Sequence, residues 1–113
     1  MNFLRADRVS SVIREELAKL IMRELEFAGA IVTITEVEAD KKLSHAFVYV
    51  SVFPSENVPE VMKILYGATP HLQHLLLRKM NIKPMPHIEF RHDVGIERAA
   101  AVEKALLEEK KTL

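Results

Sequence analysis

The chain has no cysteine, which removes disulfides, thiolate metal centres and a cysteine nucleophile at once and fits a reducing compartment. Glycine and proline are sparse, with 3 and 5 copies, and no linker, internal repeat or low-complexity tract breaks the chain. No apolar run approaches the roughly 18 residues that a membrane span requires. The N-terminal stretch also lacks the long apolar core of a secretory signal peptide, so no membrane partner and a cytoplasmic location are expected. Charge of one sign is missing too: 16 basic residues balance 16 acidic ones. A sequence-wide polyelectrolyte is thereby excluded, and any nucleic-acid role must rest on local charge. There is no GxSxG, no phosphate-binding P-loop and no HExxH. Neither an enzyme nor a cofactor is expected.

What is present suits one domain over residues 1–113, long enough for a single core. From Asp7 to Phe27, Val9, Val12, Ile13, Leu17, Leu20, Ile21 and Leu25 recur at helical spacing, with Asp7 or Ser10 as the expected cap and Gly29 as the stop. Ala30–Glu38 and His45–Phe53 alternate as strands. The short Asp40-Lys41-Lys42 turn between them predicts an antiparallel hairpin. A helix beginning near Pro59 or Glu60 reaches Tyr66, and Thr69-Pro70 then reads as a second helix start, with Thr as N-cap and Pro at the first helical position. Proline removes an amide donor and crowds the preceding turn, so a sharp kink or break is expected over Ala68, Thr69 and Pro70. His87–Arg91 alternates as a third strand. A last amphipathic helix follows from Ile96, fraying into a tail over 108–113. This order predicts an α+β fold with helices on one face of a three-stranded sheet.

Between Val61 and His92, Lys63, Arg78, Lys79, Lys83 and Arg91 meet a single acid, Glu89. Four of the five histidines, His71, His74, His87 and His92, lie in the same stretch. A helix start with cations nearby and no acid is an anion site, because its first N–H groups have no partner within the helix. The ordinary reading is a solvated helix face. Arg78, Lys79 and Lys83 are the best candidates for phosphate contact, with His71 and His74 secondary. Arg5, Arg8, Lys41 and Lys42 could join them on one surface if the fold brings them together. His71 and His74 lie one helical turn apart, but a metal site needs a third ligand that no local spacing supplies, and none is expected. Phe47, Tyr49 and Phe53 share a strand face; they suit packing under a neighbouring helix, such as the C-terminal one, better than base stacking.

The sequence resembles the ribosome-binding factor A family. The resemblance rests on Arg8-Val9 leading into IREELAKLI, on IVTITEVEADKKLSHAFVYVSVF, on LYGATPHLQHLLLRKMNIKPMPHIEFRHD, and on the helix from Ile96 to Lys104. It spans nearly the whole chain and implies a type II KH-like fold. KH domains ordinarily grip nucleic-acid backbone with a GxxG loop, of which Gly67-Ala68-Thr69-Pro70 keeps only the first glycine. The family typically has an Ala-x-Gly kink, and Pro70 stands here in place of that glycine. The resemblance implies a non-catalytic assembly factor that binds the immature small ribosomal subunit and its rRNA, assists late rRNA maturation, and acts in the cold. Other assembly factors are possible partners, and a monomer is expected. The competing reading is a protein-interaction or self-association module without direct RNA binding.

Overall fold

The structure is a computed structural model that describes residues 2–94. Its elements are α1 (Asn2–Glu24), β1 (Ile31–Ala39), β2 (His45–Phe53), a 3-10 turn at Ser55–Asn57, α2 (Val58–Met80) and β3 (His87–His92). The helix expected from Ile96 and the tail over 108–113 lie outside the described residues. The sheet order is β1-β2-β3, with β1 and β2 antiparallel and β2 and β3 parallel. This α+β arrangement agrees with the order expected of a type II KH-like domain.

Each element buries one face. In α1 the buried set Ala6, Ile13, Leu17, Leu20 and Ile21 falls on a single helical stripe. In α2 it is Val61, Met62, Leu65, Leu72 and Leu76. Ala46, Val48, Val50 and Val52 alternate inward along β2, as do Ile88 and Phe90 along β3. These side chains form one cluster between the helices and one face of the sheet. Burying each leucine, isoleucine or phenylalanine contributes about 1.5–3 kcal/mol before entropy is counted. Among the described residues no polar or charged residue is buried.

Three local features differ from the sequence reading. First, β1 carries a bulge between Ile34 and Glu36. Strict alternation would put Val37 on the face of Thr33, but the extra residue resets the phase. Val37 and Ala39 therefore pair with Val48 and Ala46 on the inner side, as Ile34 and Val32 do with Val50 and Val52. The bulged Thr35 donates its hydroxyl to Asp93 Oδ2 at 2.7 Å.

Second, α1 starts before Asp7 and ends at Glu24. Ser10 is no cap: its Oγ donates to Ala6 O at 2.8 Å and accepts the Ala39 N–H at 2.9 Å, stitching α1 to the end of β1. Gly29, at φ +71°, sits in the turn beyond the helix, a conformation costly for a side chain with a Cβ.

Third, the break expected over Ala68, Thr69 and Pro70 does not occur. α2 runs as one helix of 23 residues with Pro70 in its interior. Thr69 does not cap a new helix, because its hydroxyl bonds back to Leu65 O at 2.8 Å, one turn earlier. Pro70 and Tyr66 are both exposed, so the Tyr66 carbonyl, which loses its donor at Pro70, lies on the solvent side. Leu65, Leu72 and Leu76 are buried on the other side, before and after Pro70, and anchor both halves of the helix to the core.

Candidate nucleic-acid interface

α1 and α2 lie antiparallel. Glu16 pairs with Lys79, and Glu24 Oε2 lies 3.7 Å from His71 Nε2. Consequently the N-terminal turns of α1 and the last turn of α2 reach the same end of the molecule. Arg5 Nη2 donates to Lys83 O at 3.3 Å, joining α1 to the Asn81–Pro86 loop. That loop is joined in turn to the β1–β2 turn, since His87 N–H donates to Ser44 O at 3.0 Å and His87 stands beside His45 in the parallel register.

The backbone at this end is locally determined. Asn81 closes α2 in the left-handed region, at φ 48°, with its N–H on Leu77 O. Asp40 ties the β1–β2 turn by accepting Ser44 N–H on Oδ1 at 2.7 Å and Leu43 N–H on its carbonyl at 3.0 Å. Leu43 is buried beneath the turn, leaving Lys41 and Lys42 exposed.

Arg5, Arg8, Lys41, Lys42, Arg78, Lys79 and Lys83 are all exposed and gather at this end. Their state differs. Lys79 is held by Glu16, whose carboxyl ionises below its ordinary range because of the hydrogen bond from Lys79, aided by the charge of Lys19 and opposed by desolvation. Arg78 and Lys79 occupy the last turn of α2, where cations also complement the negative end of the helix dipole. His71 lies away from the basic end, opposite Glu24, and His74 is exposed between the two. The helix-start anion site expected at Thr69-Pro70 is absent, because the N–H groups that follow are inside a continuous helix.

The tertiary structure also sorts the acids. Glu24, Glu26, Glu56 and Glu60 belong to the opposite end, around the last turn of α1 and the start of α2. Near the basic end, acids are confined mainly to a groove of about 510 Å³ between α1 and β1, lined by Asp7, Glu36, Glu38 and Asp40 together with Lys41. Acidic side chains thus line that groove, while the side of Arg5, Arg78 and Lys83 is basic. The sequence could not show this sorting, since the residues involved are up to 78 positions apart.

The aromatic face of β2 is already engaged. Arg91 stands 4.2 Å from the centre of the Phe47 ring, and His45 stacks on the same ring at 6.3 Å. Glu38 and Glu89 flank Phe47 in the register, and Glu36 flanks Tyr49. That surface is too acidic to attract a phosphate backbone. Among the described residues no group of three His, Asp or Glu side chains could hold a metal ion, and no helix is long and apolar enough to cross a membrane.

Residues 5–106 match the family model described as ribosome-binding factor A. The ribosome-binding factor A of Caldicellulosiruptor saccharolyticus is 35% identical, over 94% of this chain and 82% of its own. That of Pseudomonas paraeruginosa is 31% identical, over 97% and 92%. The crystal structure of ribosome-binding factor A from Thermus thermophilus superposes with a TM-score of 0.66 at 22% identity, over 77% of this chain and 93% of that one. A homology model of the same Thermus factor, fitted into the cryo-electron-microscopy map of its complex with 30S, gives 0.63 at 26% identity, over 74% and 90%. From the matched span and the full-length relatives, this chain belongs to the ribosome-binding factor A family.

Proposed function

We propose that this protein binds the immature small ribosomal subunit through its basic end and assists late maturation of the rRNA without catalysis. One observation carries the proposal: in a chain of zero net charge, Arg5, Lys41, Lys42, Arg78 and Lys83 come from three separated stretches and meet at one end. A binding mode in the Thermus relative, fitted into a 30S complex, supports the same partner here. Cations at this end dock on phosphates, which position the protein without reading sequence. The unbroken α2 borders that surface in place of a GxxG loop.

Binding favours the rRNA conformation that meets this surface over those that do not, a population shift that makes and breaks no bond. Its size is set by the difference in affinity between the two RNA states. Such a factor acts in the cytoplasm and matters most in the cold, when misfolded RNA persists; other assembly factors would share the subunit with it.

The test is co-sedimentation with immature and mature small subunits at low and moderate salt, comparing wild type with Arg78→Glu/Lys83→Glu. Lys79 is left intact because its reversal would also set two carboxylates against each other at Glu16. The expected outcome is salt-sensitive binding by wild type and none by the folded double variant. Absence of wild-type binding to either subunit would overturn the reading.

A further inference from the structure

The loop between α2 and β3, residues 81–86, carries the exposed Lys83 to the basic end, and three contacts fix its course. At its start Asn81 N–H donates to Leu77 O. In its middle Arg5 Nη2 donates to Lys83 O at 3.3 Å. At its end Gln73 Nε2 donates to Pro86 O at 2.9 Å, and Gln73 Oε1 accepts the Ile88 N–H at 2.8 Å.

The Gln73 contact imitates a strand. His87 N–H donates to Ser44 O and Asp93 N–H to Val50 O, so the odd-numbered residues of β3 bond to β2. The even-numbered positions, Pro86 and Ile88 among them, turn their backbone groups away from β2. A further parallel strand would offer one residue's N–H to the Pro86 carbonyl and its C=O to the Ile88 amide. The Gln73 side-chain amide offers the same donor and acceptor from α2. Gln73 is half-buried and Pro86 is buried, which limits competition from water, whereas the Arg5 contact is exposed. The tether of the loop end therefore falls mainly on Gln73.

We infer that Gln73 is a positioning residue for RNA binding: by pinning Pro86 and Ile88 to α2 it holds the loop in the course that sets Lys83 beside Arg5. The role rests on the subunit binding proposed above and adds to it an uncharged residue that acts through Lys83. A lysine on an untethered loop is ordered only at the moment of binding, and that ordering subtracts from affinity. Tethered by Gln73, the loop is ordered beforehand, when the domain folds.

A double-mutant cycle of Gln73→Leu and Lys83→Ala in the full chain tests this, read by affinity for small subunits across salt concentrations, at a temperature where circular dichroism shows every variant folded. Gln73→Leu is expected to weaken binding roughly two- to tenfold with the slope of log affinity against log salt unchanged, because no phosphate contact is lost. Lys83→Ala is expected to lower that slope by about 0.7 to 0.9. In the Lys83→Ala background Gln73→Leu should have little further effect, whereas a general loss of stability would weaken binding by the same factor in both backgrounds. Gln73→Asn, gentler on folding and one methylene too short to reach both backbone groups, is expected to show the same coupling. If wild type binds and the folded Gln73 variants bind as tightly, or lose the same factor with and without Lys83, the inference is overturned and the proposed function stands. Absence of wild-type binding would overturn both.

Discussion

Glu16 of α1 holds Lys79 of α2 across the antiparallel helix pair, with the partly buried carboxylate also 3.8 Å from Lys19 Nζ. The hydrogen bond to Lys79 lowers the pKa of Glu16 from the ordinary value of 4.5. A carboxyl whose folded pKa is depressed stabilises the fold above its unfolded pKa and loses that contribution as pH falls through the folded value. Thermal melts between neutral pH and pH 3 should therefore show an acid-side loss of stability that is smaller in Glu16→Gln. Identical acid limbs in the two proteins would contradict the pairing.

Arg78 and Lys79 are neighbours in the chain and differ in role. Arg78→Ala should leave the urea midpoint nearly unchanged and weaken subunit binding, lowering the slope of log affinity against log salt by about 0.7 to 0.9 for one phosphate contact. Lys79→Ala should lower the midpoint, because it removes the interhelical partner of Glu16 and leaves it only Lys19 of its own helix, and should change the salt slope less. Equal salt slopes for the two variants would remove the distinction.

Gln73 joins α2 to β3. Its Nε2 donates to Pro86 O at 2.9 Å, and its Oε1 accepts the Ile88 N–H at 2.8 Å. Gln73→Leu keeps much of the volume and orphans both backbone groups, so a loss of about 1–3 kcal/mol in urea unfolding is expected. A change within error would mean that water replaces both bonds.

Pro70 sits in the interior of α2, where proline forfeits a hydrogen bond and crowds the previous turn. Pro70→Ala supplies the missing donor to Tyr66 O. It should raise stability by up to about 3 kcal/mol, read from chemical denaturation. A lower midpoint would show that the ring makes packing contacts worth more than the bond it removes.

Much of this protein was legible in its residues. The helical stripe of Ile13, Leu17, Leu20 and Ile21 and the alternation of Ala46, Val48, Val50 and Val52 report their own geometry, because burial of one face imposes a fixed period. The hairpin, the third strand and the cationic stretch around Arg78 were readable for the same local reason. Other features depended on contacts that no local pattern contains. Thr69-Pro70 looks like a helix start, and in isolation its chemistry favours one; the shared burial of Leu65, Leu72 and Leu76 carries the helix through. Strict alternation from Val32 and Ile34 would leave Val37 outside, and the bulge at Ile34/Glu36 brings it in. Arg5, Lys41 and Lys83 are unremarkable singly, and the antiparallel packing of α1 on α2 with the β1–β2 turn makes them neighbours. Lys79, counted among the free cations by composition, is bound to an acid 63 positions earlier in the chain. Periodicity is a local property and can be read along the chain; charge pairing and edge exposure arise between distant segments, so only the folded structure could decide them.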